Sequence, residues 1–157
     1  LINQRFQTGY DCRVATKMAL KITLKPNEKM IIGGAVVTNG NTKNTDLIIE
    51  NNVPVLRQKD ILSETDATSP CSRIYFIIQL MYIDEENLMD HQPTYWKLVR
   101  ELLDAVPRLA EPINQINENI LGGNFYQALK LAGKLIGYEQ EVLKHVREYT
   151  DPIAQNI

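Results

Sequence analysis

The chain has 157 residues, 17 Lys and Arg against 19 Asp and Glu, a formal charge of -2, and 44% hydrophobic residues. A chain of this length buries on the order of two thirds of its unfolded surface, so its core needs neither a disulfide nor a structural metal, and global disorder is excluded. The longest apolar run, Ile74 to Ile83, is interrupted by Gln79 and reaches only half of the roughly twenty residues a membrane helix needs. Cys12 and Cys71 are far apart with no paired spacing, which speaks against a secreted disulfide framework and a zinc site and for a cytoplasmic protein with free thiols.

Residues 1–17 show neither a signal peptide's apolar centre nor a sustained period. Met18, followed by regular alternation, is the more natural start, so 1–17 is expected to be an N-terminal extension, disordered or non-native. Residues 18–62 read as a β module. Leu20, Ile22 and Leu24 alternate with Lys21 and Thr23; Pro26-Asn27 supplies a turn, Met30-Ile31-Ile32 a strand, Gly33-Gly34 a break and Ala35 to Thr38 a third strand. Asn39-Gly40 is a turn dipeptide, and Leu47 to Ile49 and Val53 to Leu56 complete the set. Pro54 cannot donate to a ladder, which puts the last strand at an edge.

From Ser63 the period changes. Ser69-Pro70 is a cap and first-turn signal before Ile74, Ile77, Ile78 and Met81, the spacing of one helical face, although the β-branched residues leave a buried strand open. Leu98, Leu102, Leu103 and Val106 form a second stripe, and Ile113, Ile116 and Ile120 a third ending at Gly122-Gly123. A fourth begins after Asn124 with Phe125, Ala128, Leu129, Ala132, Leu135 and Ile136, extended by Val142, Leu143 and Val146. The segment from Asp84 to His91 reads as a polar linker. The expected fold class is α+β: a small five-stranded antiparallel sheet or open barrel over 18–62, followed by a bundle of about four helices over 63–157.

Charge is unevenly distributed. Residues 18–62 carry six cations (Lys21, Lys25, Lys29, Lys43, Arg57, Lys59) against four acids (Glu28, Asp46, Glu50, Asp60), whereas 63–157 is net acidic. An anionic ligand is therefore expected on the β module, with ordinary solvated faces the plainer explanation of so small a bias. Lys21 and Lys25 leave the first strand on the face opposite its apolar side, and Arg57 and Lys59 follow the last strand; if those strands are neighbours, the four cations converge. Arg offers a planar fork to a phosphate or base edge, Lys a point charge.

Enzymatic chemistry is not indicated. Gly33-Gly34 and Gly122-Gly123 lack the residues of a phosphate loop, and there is no nucleophile elbow. Glu141, His145 and Glu148 could share a helical face toward a metal, with helix pairing the plainer reading. Asp84-Glu85-Glu86 lacks the alternating ligands of a calcium loop. Cys71, at a helix start beside Arg73, has no general base in view. No catalytic residue, metal ligand or cofactor is expected.

The segments MALKITLKPNEKMIIGGAVVTN, PVLRQKDIL, SPCSRIYFIIQLMY and FYQALKLAGKLI, in this order and spacing, resemble the FlbT family of cytosolic regulators of bacterial flagellin synthesis, from Met18 to about Tyr149. The resemblance implies a post-transcriptional repressor that associates with the 5′ untranslated leader of flagellin mRNA and blocks its translation or promotes its decay, and a flagellar partner protein, FlaF. A fainter likeness links ITLKPNEKMIIG and VLRQKDI to the dimeric RNA-binding regulator CsrA. On that alignment Lys25 takes one place of a first-strand basic pair and Arg57 the place of a last-strand arginine that contacts RNA, while Leu24 and Leu56 depart from the pattern.

The expected RNA site is thus Lys25, Arg57 and Lys59, reinforced by Lys21, on a flagellin mRNA leader. Neither DNA nor a membrane is expected as a partner, and a homodimer would gain by avidity. The alternative is a protein-binding module whose helical half grips flagellin or a flagellar regulator through Phe125, Leu129 and Ile136, the RNA effect being indirect.

Overall fold

Alternation over Leu20–Leu24 produces strand β1 in the computed structural model, which describes residues 19–154; Ile22 and Leu24 are buried while Lys21 and Thr23 face solvent. The extension expected over 1–17 lies outside the described residues. Strands β2 (Lys29–Ile32), β3 (Ala35–Thr38), β4 (Thr45–Ile49) and β5 (Val55–Arg57) follow. All pairings are antiparallel, and the five strands divide between two small sheets, β1 with β4 and β2 between β3 and β5, with no closed barrel among the described residues. Pro54 immediately precedes β5, an outer strand, as its missing N–H requires. Ile32 pairs with Ala35 across Gly33-Gly34, whose φ values of 55° and 83° are those of a two-residue primed hairpin turn that side chains with a Cβ resist.

Ser69 opens α1 (Pro70–Ile83) through a capping box with Ser72, and Pro70 occupies the first turn, where its lack of an N–H is harmless. Helices α2 (Leu88–Ala105), α3 (Ala110–Leu121) and α4 (Phe125–Ala154) complete the bundle. The linker expected around His91 is instead the start of α2, which runs through Pro93. Its inner anchor is Tyr95, fully buried with its hydroxyl donating to Asn117 Oδ1, an aromatic contact that a count of aliphatic residues overlooks.

The three-stranded sheet has two apolar faces. Ile31 and Leu56 join the core of the four helices, while Met30 packs with Ile22 and Leu24, flanked by Ile32, Leu47, Ile49 and Val55. One face of α1 secures this junction with three polar side chains seven residues apart at most. Tyr75 Oη donates to the Asp60 carbonyl at 2.6 Å, Gln79 pairs with the Leu62 backbone, and Tyr82 Oη accepts from the Val55 N–H at 3.0 Å. Among the described residues, no helix is long and apolar enough to cross a membrane.

Candidate nucleic-acid interface

The site is organised by a buried polar residue, Asn39, only 5% exposed at the end of β3. Its side-chain Nδ2 donates to the carbonyls of Leu24 at 3.0 Å, Lys25 at 3.1 Å and Lys43 at 2.9 Å, and its Oδ1 accepts from the Asn41 N–H and the Thr45 hydroxyl. Its backbone N–H donates to the Glu28 carbonyl and its carbonyl accepts from the Asn27 N–H. One residue therefore ties together the end of β1, the β1–β2 turn and the approach to β4. The β1–β2 turn is closed by the Glu28 N–H on the Lys25 carbonyl, and the two strands enter different sheets.

Strand direction then decides which cations meet. Leu24 is opposite Thr45, Lys29 opposite Thr38 and Met30 opposite Arg57, so β1, β3 and β5 end, and β2 and β4 begin, at the same end of the two sheets. The Lys29 N–H donates to Gln58 Oε1 at 2.7 Å and closes the β5 exit onto β2. Lys25, Lys29, Lys43, Arg57 and Lys59 all emerge exposed at this end, and none forms an ion pair with another described residue. Glu28 lies in the turn at the same end, its Oε2 accepting the Lys25 backbone N–H at 2.8 Å.

Three of the four expected site residues, Lys25, Arg57 and Lys59, are thus brought to one end, although not by the expected route, because β1 pairs with β4 and β5 with β2. Lys21 is separate. It projects from the middle of the β1–β4 face, where its Nζ lies 2.9 Å from Asp46 Oδ2 and Thr23 Oγ1 donates to Asp46 Oδ1 at 2.7 Å. The hydrogen bond to Asp46 raises the Lys21 pKa, and the same contact, with that from Thr23, lowers the Asp46 pKa. Lys29 and Lys43 join the site in place of Lys21. Their sequence signal is weak, since it requires knowing that Asn39-Gly40 is an anchor rather than a simple turn.

The remaining candidates have structural roles. The Cys71 thiol is buried and its pKa is pushed up to about 12, by burial first and then by Glu139, the reverse of an activated nucleophile. The Glu139 carboxylate accepts from the Ser69 hydroxyl and the Cys71 N–H, so α4 closes the N-terminus of α1. His145 Nδ1 lies 2.7 Å from the Glu141 backbone oxygen, and the Glu148 side chain lies outside the described residues. Asp84 accepts from Asn87 and faces His91 at 3.3 Å, linking α1 to α2. Phe125 and Leu129 are buried in the bundle and Ile136 packs against it, so this stripe is occupied within the chain.

The family described as "Flagellar protein FlbT" matches residues 20–143, which span both sheets and nearly the whole bundle. The chain belongs to the FlbT family. Among FlbT relatives, the Bradyrhizobium diazoefficiens protein named "Probable flagellum biosynthesis repressor protein FlbT 1" is 45% identical over 138 residues, covering 88% of this chain and 93% of that protein. The Rhodopseudomonas palustris "Probable flagellum biosynthesis repressor protein FlbT" is 40% identical, covering 80% of this chain and 98% of its own. The Caulobacter vibrioides "Flagellum biosynthesis repressor protein FlbT" is 37% identical, covering 82% and 92%. No solved structure matches this FlbT chain.

Proposed function

We propose that this chain represses flagellum biosynthesis in the cytoplasm by binding the 5′ untranslated leader of flagellin mRNA through the basic end of its β module. The repressor role rests on the names of its relatives. The observation that carries the RNA reading is the gathering of Lys25, Lys29, Lys43, Arg57 and Lys59 around the Asn39 anchor, a fixed cationic end on a chain whose net charge is negative. Cations spaced around strand ends suit a phosphate backbone, and a bound leader would be closed to ribosomes or opened to nucleases with no chemistry by the protein. FlaF and flagellin are proposed as partners of the pathway; the helical stripe of Phe125, Leu129 and Ile136 is taken up by the bundle.

The test is fluorescence anisotropy of the full chain with a labelled flagellin-leader RNA and a scrambled RNA of equal length, across a salt series. Preference for the leader, with affinity falling steeply as salt rises, is expected. Lys25→Ala with Arg57→Ala should weaken binding and flatten the salt dependence; unchanged binding would remove the function from this end.

A further inference from the structure

Residues 18–62 contain no Phe, Tyr or Trp, yet unpaired RNA is held in large part by stacking of its bases on aromatic rings. We infer that the helical bundle supplies this ring: Tyr126, tilted against Tyr82, is a platform for an unpaired nucleobase of the RNA whose phosphates meet the basic end. The inference rests on the RNA reading above.

Tyr82 is fixed to the β module, because its hydroxyl accepts from the Val55 N–H at 3.0 Å and donates to the Val55 carbonyl at 3.2 Å. Tyr126, in the first turn of α4, places its ring centroid 5.5 Å from that of Tyr82 at 41°. It is 43% exposed, a large aromatic surface left in water. Lys130, one turn along α4, holds its Nζ 4.7 Å from the centre of the Tyr126 ring. Strands rise about 3.3 Å per residue, so Arg57 lies roughly 7 Å along β5 from Val55. Tyr82 thus meets β5 where the strand begins, and Arg57 leaves it where the strand ends.

The space beside the ring has the chemistry of a base rather than a phosphate. A hollow of about 460 Å³ is lined by Tyr82, Tyr126, Asn119, Asn124, Gln127 and Glu85. The side-chain amides of Asn124 and Gln127 make no hydrogen bond to another described residue, and each offers a donor and an acceptor to a base edge. The Glu85 carboxylate repels phosphate but accepts from an exocyclic amine. A base entering over Tyr126 displaces the Lys130 ammonium from the ring and leaves it for the flanking phosphate.

Binding of a labelled flagellin leader to the full chain, and of the same leader annealed to its complement, distinguishes the outcomes. Tyr126→Ala should weaken single-strand binding by at least about fivefold, with its salt slope changed by no more than the single Lys130 phosphate contact, while leaving the duplex unaffected. Tyr126→Phe should stay within about twofold of the parent, and Tyr126→Leu, which restores bulk against Tyr82 without a π face, should behave like alanine. Parent-like binding by Tyr126→Ala or Tyr126→Leu overturns the platform and leaves the cationic site standing. No binding of the leader by the parent chain overturns the RNA reading and the platform together.

Discussion

Gln79 offers both halves of its side-chain amide to the backbone of Leu62: Oε1 accepts the Leu62 N–H at 2.8 Å and Nε2 donates to the Leu62 carbonyl at 2.9 Å. The pair imitates one rung of a β ladder between a helix and the segment leaving β5. Gln79 is 3% exposed, so neither Leu62 group finds an easy substitute when the amide is removed. Gln79→Leu is therefore expected to destabilise the fold by about 2 kcal/mol, read as a lower urea midpoint. Gln79→Glu should be at least as damaging at neutral pH, because it sets a carboxylate oxygen against the Leu62 carbonyl. A midpoint unchanged in both variants would show that the rung is immaterial.

The same residue marks the limit of what the sequence discloses. As a polar interruption of the run from Ile74 to Ile83 it is visible at once, but its partner seventeen residues earlier is not, because side-chain-to-backbone pairs leave no period. Elements with a repeating pattern were legible: β1 by alternation, α1 by Ser69-Pro70 and its isoleucine spacing, and the α+β order of sheets before helices. The first half of α2 was not, since Tyr95 and Trp96 carry its packing and Pro93 and His91 imitate a linker. In the candidate site, Lys25, Arg57 and Lys59 were legible as charges beside strand ends. Their meeting point depends on Asn39, which reads locally as a turn residue and acts as an anchor for distant carbonyls.

Asn39 gives the second prediction. Asn39→Ala would remove the donor that serves the carbonyls of Leu24, Lys25 and Lys43, of which Lys25 keeps the Glu28 N–H, and cost about 2–3 kcal/mol. Asn39→Asp keeps the acceptor for Thr45 and Asn41 but aims negative oxygen at three carbonyls, so it should be worse than alanine at neutral pH. Both changes are expected to weaken leader binding by more than any single lysine substitution, because they disperse several cations at once. Thermal melts and anisotropy on the same samples separate the two effects, and leader affinity unchanged in a folded Asn39→Ala variant would deny the anchor its part in the site.

The Lys21–Asp46 pair allows a gain of function. Lys21 is engaged by a carboxylate 2.9 Å away and so contributes little net positive charge to its face. Asp46→Asn releases it, and leader binding should tighten and depend more steeply on salt, by up to about 0.7 in the logarithmic slope for one added phosphate contact on a single strand. Lys25→Ala and Arg57→Ala should each shift the slope by a similar amount in the opposite direction. If Asp46→Asn leaves both affinity and slope unchanged, the β1–β4 face lies away from the RNA path. The pair also sets an acid limit: the Asp46 pKa is depressed in the fold, so its contribution is present above the ordinary value of 3.8 and is lost as pH falls through the depressed one.

Alkaline stability follows from three acids held wholly or partly out of water. Burial, followed by the Glu139 carboxylate, raises the Cys71 pKa from 9.0 to about 12; burial, followed by Asp60, raises that of Tyr75 from 10.0 to about 12; and burial raises that of Tyr95 as well. Between the ordinary and raised values the unfolded chain has released protons that the folded chain still holds, so unfolding becomes easier as pH rises. The urea midpoint is therefore expected to be level up to about pH 8 and to decline steadily toward about pH 11. Cys71→Ala removes one of these three titrations and should make the decline shallower, while costing packing at every pH. Equal slopes for the parent and Cys71→Ala above pH 9 would mean that the Cys71 thiol ionises as readily in the fold as in the unfolded chain, contrary to its burial beside Glu139.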